Sequence, residues 1–261
     1  MSTFQVSDGT RIAYDRQDGD RPPLVFIHGA YIDRGEWQPQ LPALGGRAYV
    51  LLDLRGHGRS DKRGYPYSVN KFADDVVQLL DHLRLRDVIL CGHSLGGMVA
   101  QHIASCYPRV ATKLVLADTS YGVRSTRLEA FLTDVTLPLF TLTPVAWQAK
   151  LFAYQLGKRS SDAKEYVRKV VRQHTRDQRN YRAIWKAVTS FDGSDKLREI
   201  NVPTLIMVGA LNKQTHQQAR HMQERISESH LVLIEGAGHM LNWDNSEQFN
   251  CELLRFLAER S

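Results

Sequence analysis

Six short apolar runs recur along the 261 residues, and a turn residue follows each of them. Leu24 to Ile27 ends at His28-Gly29, Ala48 to Leu52 at Asp53, and Val88 to Cys91 at Gly92. Leu114 to Ala117 ends at Asp118, Thr204 to Val208 at Gly209, and Leu231 to Ile234 just before Gly236-Ala237-Gly238-His239. Runs of this length with no polar alternation predict strands buried on both faces. Helical periodicity fills the gaps: Val69 to Leu83 places Phe72, Val76, Leu79, Leu80 and Leu83 on one face. Leu95 to Tyr107 and Glu247 to Leu257 read the same way, with Pro108 ending the former. Strands alternating with helices predict an α/β architecture around a mostly parallel sheet. An Asp8-Gly9 turn between Phe4–Val6 and Arg11–Tyr14 adds a hairpin at the start.

The stretch from Ser120 to Leu197 breaks this alternation. It is poor in strand signals and carries Phe131, Leu132, Phe140, Trp147, Phe152, Tyr154 and Trp185. We expect several helices inserted between two successive strands, a cap (120–197) over a core made of residues 1–119 and 198–261. The net charge of +6 is concentrated there: the insertion holds 14 Lys/Arg against 7 Asp/Glu, and the rest of the chain is close to neutral. No nucleic-acid module accompanies the excess, so a solvated helical surface is expected. If it faced inward, it would favour an anionic substrate. No apolar run nears the roughly 20 residues needed to cross a bilayer. The N-terminus shows no export signal, and three cysteines without metal spacing fit a reducing cytoplasm.

Gly92-His93-Ser94-Leu95-Gly96 matches G-x-S-x-G between an apolar run and a helical pattern. A strand that turns abruptly into a helix holds the serine on a strained bend, and the flanking glycines remove side chains that would collide across it. Ser94 also stands at a helix N-terminus, where free N–H groups favour developing negative charge. Ser94 is therefore the expected nucleophile. His239, in a glycine-rich loop after the last apolar run, is the expected base. His28 is expected to order its loop, Cys91 and Met98 to lie in the core, and Trp37 to pack the first helix on the sheet.

The strand order, the elbow Gly92 to Gly97, the turn Asp53-Leu54-Arg55-Gly56-His57-Gly58-Arg59-Ser60 and the Gly238-His239 loop resemble the α/β-hydrolase superfamily. More narrowly, the chain is similar to its small, cofactor-free esterases, enol-lactonases and C–C hydrolases. The resemblance implies an eight-stranded sheet, a helical cap after the sixth strand, and acyl-enzyme chemistry on a small ester or lactone. It places the oxyanion hole at the amides of Ala30 and Leu95, with Tyr31 as substitute donor. Tyr31, Trp147 and Trp185 are expected in the pocket wall.

One departure matters. The third triad member usually follows the seventh strand, where this chain reads Gly209-Ala210-Leu211-Asn212. A neutral amide cannot stabilise the imidazolium formed during catalysis. Three readings stay open here: Asp118 supplies the carboxylate, Asn212 orients His239 in a slow enzyme, or the chain binds ligands without turnover. Diketone C–C hydrolysis and perhydrolysis would use the same residues.

Overall fold

The computed structural model describes residues 1–122, 143–156, 160–174 and 177–259. Eight strands form one sheet: β1 (Ser2–Gln5), β2 (Arg11–Gln17), β3 (Asp20–Ile27), β4 (Arg47–Leu52), β5 (Val88–His93), β6 (Ala111–Ala117), β7 (Thr204–Gly209) and β8 (Ser229–Ile234). Their spatial order is β1-β2-β4-β3-β5-β6-β7-β8. β2 runs antiparallel to both β1 and β4, and every other neighbouring pair is parallel.

Period-two geometry sends alternate residues of the central strands to opposite faces, where two apolar clusters form. Val25, Ile27 and Leu90 join the cluster that includes Phe72, Val76 and Val99. Leu24, Phe26 and Cys91 join Trp37, Phe249 and Phe256 on the other side. The first face is covered by α1 (Val69–His82) and α2 (Leu95–Cys106). Ser68 caps α1 by accepting from the Lys71 amide. The second face is closed by α8 (Ser246–Ala258), capped by Asn245. Trp37 thus packs against Phe26 and Phe249.

Between β6 and β7 the described chain is helical: α3 (Val145–Leu156), α4 (Ser161–His174) and α5 (Gln178–Thr189). Phe131, Leu132 and Phe140 lie outside the described residues. Arg168, Lys169, Arg172, Arg179, Arg182 and Lys186 are exposed, so this part of the basic excess lies at the surface, where Arg179, Arg182 and Lys186 line an open hollow beside Tyr65 and Tyr67.

One expectation needs correction, and one helix lies outside the sequence reading. β8 is an edge strand with a half-exposed face, and Leu233 is 42% exposed. Helix α6 (Lys213–Arg225) gave no periodic signal because it buries only Ala219 and Met222. A short α7 (Leu241–Asp244) precedes α8. Among the described residues, no helix is long and apolar enough to cross a membrane.

Candidate active site

The parallel strands end together, and β5 delivers Ser94 into the first position before α2. Ser94 has φ 51° and ψ −116°, outside the regions an L-residue prefers. The glycines around it allow this. A Cβ on Gly92 would sit 2.2 Å from the Gly96 carbonyl oxygen, and one on Gly96 would sit 2.0 Å from that of Ile27. The Ser94 carbonyl accepts hydrogen bonds from the Gly97 and Met98 amides and, at 2.6 Å, from the Thr119 hydroxyl. Leu95 opens the helix, so its N–H has no acceptor within the helix.

The loop after β3 lies against this elbow. A Cβ on Gly29 would meet Ser94 Cβ at 3.4 Å and His93 Nδ1 at 3.0 Å. Ala30 follows, buried, and Tyr31 then takes a positive φ of 63°. His28 orders the loop: its Nε2 accepts from the Leu54 amide at 3.0 Å, so its Nδ1–H donates to the Gly29 carbonyl at 2.7 Å.

Asp118 follows the last residue of β6 in a left-handed conformation, φ 38°. Its amide donates to the Met207 carbonyl at 2.8 Å, which extends the β6–β7 ladder by one step. The fully buried carboxylate then points at His239, with Oδ1 3.6 Å from Nδ1. Thr215 donates its hydroxyl to the same oxygen at 2.6 Å, Asn212 donates Nδ2–H at 2.8 Å, and the Gly209 amide donates to Oδ2 at 3.2 Å. All three of these neighbours are donors, as an ionised carboxylate requires. This orients the Asn212 amide. Turning its amide over would set two acceptor oxygens 2.8 Å apart, so Nδ2 must face Asp118. That same Nδ2, and not an oxygen, lies 3.4 Å from His239 Nδ1. Asn212 therefore supports the carboxylate and offers the imidazole no acceptor.

His239 is about one-quarter exposed. Its loop is held from below, where His93 Nε2–H donates to the His239 carbonyl at 2.8 Å. The two imidazole rings lie 4.7 Å apart. Ser94 Oγ and His239 are not hydrogen-bonded here; such contacts commonly tighten only around substrate. His93 and Glu36 are both buried, with Nδ1 2.5 Å from Oε1. Burial opposes the charged imidazole, but the Glu36 carboxylate outweighs it and raises the His93 pKa above its ordinary value.

The inserted helices touch this arrangement from above. Tyr181 of α5 stacks on Tyr31 with ring centroids 4.2 Å apart, and Tyr31 donates its hydroxyl to the Tyr181 carbonyl. Tyr166 of α4 stacks on Trp243 and donates to the Asp33 carbonyl at 2.9 Å. Asn180 donates to the Gly56 carbonyl at 2.7 Å.

The three residues expected in the pocket wall lie in different surroundings. Tyr31 is fully buried, with its ring stacked on Tyr181. Trp147 is 76% exposed on α3. Trp185 is partly buried and packs against the core. A cavity of about 440 Å³ opens elsewhere, between α1, α2 and the end of α5; Gln101, Phe191 and Leu197 line it, and neither Ser94 nor His239 does. Thr215, Thr119 and Glu36 escaped the sequence reading. Only Thr215, three residues beyond Asn212 on the next helix, carried any positional hint.

A strained serine between a strand and a helix, beside a carboxylate–imidazole pair at the ends of parallel strands, defines an α/β-hydrolase arrangement. The chain matches the α/β hydrolase family over residues 24–252 and belongs to it. It is 28% identical to 3-oxoadipate enol-lactonase 2 of Acinetobacter baylyi over 237 residues, 88% of this chain and 86% of that one. A non-heme haloperoxidase of Rhodococcus erythropolis is 29% identical over 277 residues, 98% of this chain and 99% of that one. The crystal structure of the enol-lactonase from Burkholderia xenovorans shares the fold at a TM-score of 0.88 and 23% identity, covering 99% of this chain and all of that one.

Proposed function

We propose that the chain is a serine hydrolase that cleaves a small carboxylic ester or lactone through an acyl-enzyme on Ser94. The observation that carries this reading is the Asp118–His239 pair at the strand ends, within one loop of the strained Ser94. His239 takes the Ser94 proton, and Asp118 stabilises the imidazolium that results. Ser94 Oγ attacks the carbonyl carbon, while the Leu95 and Ala30 amides receive the oxyanion. The alcohol leaves with the proton held on His239. Water, deprotonated by the same imidazole, then attacks the acyl carbon and frees Ser94. In a lactone the leaving alcohol remains part of the acyl group, so ring opening needs no additional residue. Residues 120–197 act as the cap of this site, and the contacts of Tyr181, Tyr166 and Asn180 with the core support that role.

A panel of p-nitrophenyl esters, aliphatic lactones and a vinylogous 1,5-diketone tests the reading, with Ser94→Ala as control. Turnover of esters or lactones, falling at least about 10³-fold in the variant, is the expected result. Cleavage of the diketone alone would move the assignment to C–C hydrolysis. Equal turnover by wild type and Ser94→Ala would overturn it.

A further inference from the structure

We infer that Glu36 and His93 share one buried proton and work together as positioning residues, setting the His239 loop and the oxyanion loop against Ser94. The inference rests on the Ser94 reaction proposed above. His93 Nε2 lies 2.8 Å from the His239 carbonyl, which can only accept, so Nε2 carries a hydrogen. His93 Nδ1 lies 2.5 Å from Glu36 Oε1, and these two buried atoms have no other hydrogen-bond partner among the described residues, so one hydrogen shared between them is what would satisfy both. Whichever atom holds it, the pair carries no net charge, which makes its burial tolerable.

The other Glu36 oxygen accepts the Gly29 amide at 2.9 Å. The Glu36 backbone carbonyl accepts Trp243 Nε1–H at 2.7 Å and Asn242 Nδ2–H at 3.1 Å. One carboxyl and one imidazole therefore tie together the loop that presents Ala30, the elbow that presents Ser94, and the loop that presents His239. None of these bonds touches substrate. Each fixes the backbone of a group proposed to do so, and catalysis is sensitive to displacements of about 1 Å. A merely structural pair would not require its two hydrogen bonds to converge on the segments flanking the nucleophile.

Glutamine can replace this pattern. In Glu36→Gln the amide Nε2–H donates to a neutral His93 Nδ1, and its oxygen still accepts the Gly29 amide. Leucine can do neither. With a p-nitrophenyl ester as substrate, we expect Glu36→Leu to lower kcat at least about 30-fold with KM changed less than about threefold, and Glu36→Gln to stay within about threefold of wild type. Where Glu36→Leu does not fold, Glu36→Asp, one methylene too short to span both partners, carries the same expectation. Proton NMR reads the pairing independently of turnover: a far-downfield imidazole N–H is expected in wild type and in Ser94→Ala, and is expected to vanish in Glu36→Leu or Glu36→Asp. Folded Glu36→Leu or Glu36→Asp with wild-type kcat overturns the inference, as does Glu36→Gln impaired as deeply as Glu36→Leu. A downfield resonance in a wild type that turns over no ester, lactone or diketone would instead locate the failure in the proposed reaction, and the positioning role would fall with it.

Discussion

Asp118→Asn is expected to lower kcat for ester hydrolysis by roughly 10³- to 10⁴-fold. The substitution is nearly isosteric, but it places an amide among donors. Asn212 Nδ2, the Thr215 hydroxyl and the Gly209 amide all point at the Asp118 carboxylate, and His239 Nδ1 faces the same oxygen as the first two. The new NH₂ would oppose at least one of them, and the charge that stabilises the imidazolium would be lost. Asn212→Ala removes one charge-assisted hydrogen bond to that carboxylate and is expected to cost less than about tenfold. The exchange of both residues is the sharper check. In Asp118→Asn/Asn212→Asp the carboxylate moves to the neighbouring position, where the native Asn212 nitrogen is 3.4 Å from His239 Nδ1. The amide introduced at position 118 then donates back to it. We expect the double variant to recover at least about tenfold of the activity lost by Asp118→Asn alone. Steady-state kinetics on one ester decides the matter, and a larger loss from Asn212→Ala than from Asp118→Asn would contradict this assignment of the acid.

Arg55→Met is expected to lower stability by about 3–5 kcal/mol, because it strands a buried carboxylate. Arg55 is 2% exposed; its Nε and Nη2 each donate to Asp75 at 2.5 Å, and its Nη1 donates to Asp8 at 2.7 Å. Asp75 is as deeply buried and, among the described residues, has no second ion-pair partner to replace the guanidinium. Asp8 is partly exposed and regains water. For a chain of this size the loss corresponds to roughly 10 °C in Tm. Arg11→Met supplies the comparison: Arg11 is mostly exposed in its pair with Asp61, so its loss is expected to cost under about 1 kcal/mol. Removing both buried partners, in Arg55→Met/Asp75→Leu, is expected to restore part of the stability. Thermal unfolding that ranked Arg11→Met with Arg55→Met would contradict the account.

These two sites differ in how far the sequence exposes them. The elbow is legible because its glycines answer a steric demand, with backbone oxygens about 2 Å from where their side chains would begin. The central strands are legible because burial on both faces removes nearly every polar residue from them. β8 misleads for the opposite reason: its apolar run belongs to a sheet edge. Helix α6 is hidden because two buried residues produce no stripe. The acid could not be chosen from sequence, since the choice depends on which strands are neighbours. Pairing of Ala117 with Met207 sets the end of β6 beside the end of β7, and only then does Asp118 reach both Asn212 and His239. Glu36 is invisible in the same way. Its neighbour Trp37 reads as core, and nothing local indicates that the carboxylate turns towards an imidazole far along the chain.

The proposal that Ser94 is an activated nucleophile is tested most directly by excess fluorophosphonate, with intact mass followed over time. Rapid gain of one adduct per chain is expected, mapped to the peptide containing Ser94 and slowed strongly in Asp118→Asn. No adduct on the wild-type chain, while a known serine hydrolase is labelled alongside it, would contradict the account and leave ligand binding without turnover as the function of the site.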